Sequence, residues 1–210
     1  DMREEIVQIT GERVMHHIGD NMVVMATGLV GLALLAQSKS SIRESDLEAR
    51  VARLLKALQQ TEAPIAHALM APEWDMTKSI ERFESNRLIQ RLRLDGESMI
   101  QVVEDRRITL EYYKNGVLHH LAPLGLLAAA IRAHRDSFRD GARVSRDHPV
   151  FAEIERLFAK QIFLLRYEFT MDPEQDMGDL LKIALHRLKD YGAIHADASG
   201  IGLASKARVV

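Results

Sequence analysis

The stretch Leu110–Leu121, "LEYYKNGVLHHL", gathers two tyrosines, an Asn-Gly pair and two histidines. These residue types can ligate a metal, carry a proton or hold a partner. Spacing decides among those uses. His119 and His120 are neighbours, so on a helix they diverge by about 100° and on a strand they face opposite sides. Neither arrangement lets both bind one ion. His16 and His17 share that defect, and no His-Glu-x-x-His run occurs. The chain has no cysteine, which excludes a thiolate zinc site, a disulfide framework and a cysteine nucleophile. There is no Gly-x-Ser-x-Gly elbow, and Gly200 and Gly202 in "SGIGLASK" lack the strand–loop–helix setting of a phosphate loop. No catalytic residue, metal ligand or cofactor is assigned on these grounds.

What remains is contact chemistry. On a strand Tyr112 and Tyr113 alternate, so one joins the core and the other faces a partner, while Asn115-Gly116 makes a turn. Tyr112, Tyr113 and Asn115 are the candidate interface residues. Arg132, Arg135, Arg139, Arg143 and Arg146 recur at intervals of three and four. On a helix this is a cationic stripe that suits lipid headgroups or phosphates. Asp136, Asp140 and Asp147 interleave with it, which favours a solvated, salt-bridged face. Arg132, Arg135, Arg139 and Arg143 stay as candidate contacts to an anionic surface. With 28 basic against 30 acidic residues, the chain as a whole is not an electrostatic footprint for nucleic acid.

Helices must position these groups, because helical periodicity dominates. The apolar run Met22–Ala36 reads as a core helix: its length of about 22 Å falls short of the roughly 30 Å hydrocarbon layer. Leu47, Val51, Leu54, Leu55 and Leu58 mark a second helix, with Ser41 as N-cap and Glu44 at the capping-box position. A connector with Pro64 and Pro72 follows, then a third helix through "TKSIERFESNRLIQRLRL" that stops at Asp95-Gly96. On that helix Arg82, Arg87, Arg91 and Arg93 would face DNA if the unit bound it, diluted by Glu81, Glu84 and Asp95. "SMIQVVED" and "RRITLEYY" read as a hairpin around Asp105-Arg106, and an apolar helix restarts at Val117. "HPVFAEIERLFAKQIFLLRYEF" and "DMGDLLKIALHRLKDYG" are two further helices, the second ending at Gly192, before a second hairpin. "LIQRLRLDGESMIQVV" and "ALHRLKDYGAIHADAS" echo one another as helix, glycine, strand. The expected fold is mainly α with short β-hairpins, in winged-helix-like units built twice, over residues 1–125 and 126–210.

Three blocks carry a family resemblance. "ATGLVGLALLAQSKSSIRESDLEARVARLL", "RRITLEYYKNGVLHHLAPLGLLAAAI" and "AKQIFLLRYEFTMD" with "ALHRLKDYGAI" resemble, in this order, the region that follows the catalytic domain of sn-glycerol-3-phosphate acyltransferases. The resemblance implies an enzyme that passes an acyl group from acyl-CoA or acyl-carrier protein to glycerol-3-phosphate at the cytoplasmic face of a bacterial membrane. Its general base would be a histidine with an aspartate five positions on, and none of the nine histidines here has one. The nearest mimic is His148 with Glu153, where Pro149 points to a helix start instead. The Pro-Glu-Gly-Thr-Arg phosphate-binding block of the family is also absent. The resemblance therefore implies a non-catalytic C-terminal scaffold of a peripheral membrane enzyme. Its partner would be the upstream catalytic domain, with the membrane surface as a second contact. An opening residue other than methionine is expected of such a piece. The competing readings are a winged-helix DNA-binding regulator and a free-standing helical interaction module.

Overall fold

Chain order runs α1 (Met2–Asp20), α2 (Ala26–Leu35), β1 (Ser41–Arg43), α3 (Glu44–Leu58), α4 (Thr77–Ser85), β2 (Ile89–Leu94), β3 (Glu97–Val102), α5 (Arg107–Ala133), β4 (Arg143–Ser145), α6 (Pro149–Leu165), α7 (Met177–Tyr191), β5 (Ile194–Asp197) and β6 (Gly200–Leu203), with short 3-10 turns between some of them. The computed structural model describes residues 2–37, 41–94, 96–169, 171–172 and 174–204. The Ser38–Ser40 break, Asp95 of the Asp95-Gly96 turn and the end of the second hairpin lie outside these residues. The fold is mainly α with two small three-stranded antiparallel sheets, ordered β1-β3-β2 and β4-β6-β5. The chain divides into two compact units, Gly19–His120 and Asp1–Ile18 with Leu121–Val210.

In the Gly19–His120 unit, α2 has no polar face to turn outward, so it is buried from Gly28 to Leu35 and packs on α3 and α4. Leu47, Val51 and Leu58 of α3 and Ile80 and Phe83 of α4 close over it. Ile42, Ile89, Ile100 and Val102 give the sheet its inner face. Gly28 and Gly31 let α5 lie close against α2. A Cβ on Gly28 would stand 2.7 Å from Val117 Cγ2 and 3.1 Å from the Tyr113 carbonyl oxygen, so only glycine fits there.

The other unit repeats that order. After the second half of α5 come β4, α6, α7, β5 and β6, as β1, α3, α4, β2 and β3 follow α2. In both sheets the first strand pairs with the last, which pairs with the middle one. Phe151, Ile154, Phe158 and Ile162 form the buried stripe of α6. His148 caps this helix, its Nδ1 accepting the Val150 N–H at 3.1 Å, with Pro149 in the first turn. Asp176 caps α7 by accepting the Asp179 N–H at 3.0 Å. Gly192 ends α7 with φ +84°, and the Ala193 N–H returns to the Leu188 carbonyl.

Four expectations are corrected. The "RRITLEYY" strand and the Asn115-Gly116 turn do not form, because Arg107–Ala133 is one continuous helix. Its buried Leu110, Val117, Leu121 and Leu124 recur at helical spacing, and burial on that face overrides the β propensity of Ile108, Thr109 and the tyrosines. The third helix ends at Ser85, not at Asp95-Gly96, and the hairpin is formed by residues 89–102, not around Asp105-Arg106. Arg87 terminates it: at φ +57° it lets the Leu88 N–H reach the Phe83 carbonyl. Ser41 lies in β1, and Arg43 takes the N-cap position of α3 with no side-chain cap. The arginine run is not one helix, since Arg132 is on α5, Arg135 and Arg139 on a 3-10 turn and Arg143 on β4. By length and composition alone, Glu104–Ala133 is apolar enough to cross a membrane.

Candidate interaction surface

Helical geometry sorts the opening stretch differently from a strand. Tyr112 is 80% exposed and Ile108, one turn earlier, is 77% exposed, so the two stand side by side on the outer face of α5. Tyr113 turns inward, its ring 5.4 Å from that of the fully buried Phe83. The Tyr112 ring meets Tyr113 edge-on at 6.2 Å. A chain of ring contacts thus runs from core to surface, and it holds Tyr112 in a defined position before any partner arrives. Around it the charges are matched internally: Glu111 pairs with Arg107 and with Lys114. Asn115 is exposed on the same helix and supplies its carbonyl to His119.

The two histidines have structural partners. His119 Nε2 lies 2.8 Å from the Gly19 carbonyl oxygen and its Nδ1 lies 3.2 Å from that of Asn115. His120 Nε2 lies 3.0 Å from the Met22 carbonyl oxygen. His119 tethers the last turn of α1 to α5, and His120 tethers the segment after it. Burial holds the His120 pKa below its ordinary value of 6.5, helped by the adjacent His119 ring and opposed by the Met22 carbonyl and Asp20. Among the described residues no group of three His, Cys, Asp or Glu side chains is placed to hold a metal. His148 is committed to capping α6, and Glu153 pairs with Arg156.

The arginines lie on different elements, and two of them are paired within the chain. Arg139 pairs with Asp136 at 2.7 Å. Arg143 pairs with Asp197 at 2.7 Å and donates to the Gly200 carbonyl. The Ser199 hydroxyl first, then the Arg143 guanidinium and the Ser199 N–H, keep the Asp197 carboxyl well below the usual carboxylate range. Arg132 and Arg135 are exposed. Of the set that would have faced DNA, Arg82 is on α4, Arg87 in the turn and Arg91 and Arg93 on β2; Arg91 is held by Glu44 at 2.9 Å and Glu84 at 3.7 Å. Sequence reasoning did not single out Ile108 as an interface residue. It also missed α1, where Ile6, Val7, Ile9, Val14, Met15 and Ile18 are all exposed. The spacing of Val7, Val14, Met15 and Ile18 carried that second signal.

Comparison with known proteins bears on these surfaces. A family model described as the glycerol-3-phosphate acyltransferase C-terminal region matches residues 1–209. A glycerol-3-phosphate acyltransferase of Ectopseudomonas mendocina is 31% identical over 137 residues, covering 65% of this chain and 16% of the relative. One from Pseudomonas paraeruginosa is 27% identical over 147 residues, 70% of this chain and 16% of the relative. One from Shewanella woodyi is 26% identical over 176 residues, 80% of this chain and 19% of the relative. The chain therefore spans less than a fifth of the length of the curated relatives it matches.

Proposed function

As the chain belongs to the glycerol-3-phosphate acyltransferase family, whose C-terminal region it is, we propose that it is a non-catalytic scaffold packed on the upstream catalytic portion of its parent enzyme. That parent would transfer an acyl group from acyl-CoA or acyl-carrier protein to glycerol-3-phosphate, giving lysophosphatidate for phospholipid synthesis. The observation that carries the scaffold role is the Ile108–Tyr112 pair, 77% and 80% exposed and braced on Phe83 through Tyr113. A rigid aromatic next to an aliphatic side chain, ringed by charges already matched to each other, is the composition of an interface hot spot. The two units are read as winged-helix-like modules used for packing. The support for that is their shared order of helix, strand, helix, helix, strand, strand and their shared sheet order. Peripheral attachment at the cytoplasmic face of a bacterial membrane belongs to the same reading, with exposed Arg132 and Arg135 as its supporting residues and salt-sensitive flotation with anionic vesicles as its check.

The test mixes the purified chain with the separately expressed remainder of the parent enzyme and follows acyl transfer to glycerol-3-phosphate. The chain alone is expected to be inert, and the mixture to be more active than the remainder alone. Tyr112→Ala and Ile108→Ser are each expected to weaken association by about tenfold or more. Two portions that neither bind nor influence one another would sink the proposal.

A further inference from the structure

Within the unit formed by Asp1–Ile18 and Leu121–Val210, α1 faces α6 and the start of α7 across a gap. It leaves an open cleft of about 680 Å³, within the roughly 300–1,000 Å³ of binding clefts. Val7, Gly11, Val14, Met15 and Ile18 follow the i, i+4, i+7, i+8, i+11 pattern of an apolar stripe. A stripe of this kind ordinarily lies buried, yet Val7 is 66% exposed and Met15 52%. Opposite it, Phe163 is 62% exposed and Tyr167 59%, while Ile162 and Leu180 form a buried floor. Gly11 adds a second observation. It sits inside a 19-residue helix, where glycine costs stability. A Cβ there would meet nothing within 4 Å among the described residues, so no close packing among them requires it. Its missing side chain widens the cleft.

The charges at the rim are unbalanced. Among the described residues the Glu12 carboxylate accepts from Gln8 Nε2 and the Asp172 carboxylate from the Glu174 N–H, both neutral donors. Arg13 is taken by Glu174. The cation of the lining, Arg166, lies over the Phe163 and Tyr167 rings and donates to the Tyr167 hydroxyl. Two carboxylates thus stand against one guanidinium that is stacked on the wall. An apolar cleft with acidic edges fits an apolar face flanked by basic side chains.

We propose that this cleft is the seat of an amphipathic helix from the catalytic portion of the parent enzyme, its apolar face laid between α1 and α6 and its lysines or arginines set against Glu12 and Asp172. The parent can supply that helix, since the curated relatives extend far beyond the matched region. The inference rests on the scaffold reading, and it names a second docking surface separate from Tyr112.

Peroxide oxidation of methionine, read by mass spectrometry, tests the seat directly because Met15 and Met171 line it. Both are expected to oxidise several-fold more slowly in the whole parent enzyme than in the 210-residue chain alone. Glu12→Lys with Asp172→Lys, introduced in the whole parent, should restore most of the lost reactivity. Gly11→Leu should raise the melting temperature of the chain alone, by filling the cleft and improving helix propensity, yet unmask Met171 in the parent. Equal oxidation of Met15 and Met171 in chain and parent overturns this inference, and it overturns it alone if the portions still associate through Tyr112. Protection of Met15 in the isolated chain by palmitate, or by phosphatidylglycerol vesicles, also overturns it, because the cleft would then be a lipid site.

Discussion

His120 is where a single residue ties the stability of this protein to pH. Its ring is partly buried against the Met22 carbonyl, and burial lowers its pKa below 6.5. The sign follows from proton linkage. Below about pH 6.5 the unfolded chain takes up a proton that the folded ring resists. Folding is therefore most stable above that pH and loses stability as pH falls toward the lowered folded value. The unfolding free energy of the wild-type chain should drop more steeply between about pH 7 and 5 than that of His120→Gln, measured by denaturant titration at each pH. Parallel curves would show that the ring titrates alike in both states. Asp197 has the same sign in a more acidic window: its carboxyl is held low by Ser199 and Arg143, so its contribution is present above the usual carboxylate range and is lost as pH falls below it. None of this was legible beforehand. Adjacent histidines announce only that they cannot chelate together, and their carbonyl partners, Gly19 and Met22, lie about a hundred residues away.

At the scale of elements, helix ends separate what was readable from what was not. Gly192 announces its own left-handed conformation, so the end of α7 and the hairpin after it were visible in the sequence. The corresponding end of α4 falls on Arg87, at φ +57° with no glycine to mark it, and the third helix was therefore drawn too long. The echo of helix, glycine and strand fails in the first segment, because Ile89–Leu94 is a strand and Gly96 sits between β2 and β3; the positive-φ residue after α4 is Arg87. This gives a paired prediction. Gly192→Ala should cost about 1 kcal/mol, and Arg87→Gly should cost nothing or gain up to about 1 kcal/mol, by thermal or chemical denaturation. If Arg87→Gly proves as destabilising as Gly192→Ala, Arg87 side-chain packing and not backbone strain governs that turn.

Over the whole molecule, two cores of similar design each have a phenylalanine at the centre, Phe83 in the Gly19–His120 unit and Phe158 in the other. Truncating a fully buried phenylalanine removes transfer energy and leaves a cavity. Phe83→Ala and Phe158→Ala should each cost about 3–5 kcal/mol, and hydrogen exchange should show the lost protection in the unit that carries the substitution. Loss confined to the wrong unit would contradict the division. The sequence by itself determined the helix-rich class, the central place of the apolar run around Ala26–Leu35, the start of α6 at His148-Pro149 and the resemblance to an acyltransferase C-terminal region. These depend on local chemistry: uniform apolarity, proline at a first turn, glycine at a last one. Only the tertiary structure decided that Arg107–Ala133 is one helix and that Tyr112 faces outward beside Ile108. Isoleucine, threonine, tyrosine and Asn-Gly suit a strand and turn as readily as a helix. What breaks that tie is a long-range contact, the groove that Gly28 and Gly31 of α2 open for Leu110, Tyr113 and Val117, and no local pattern encodes it.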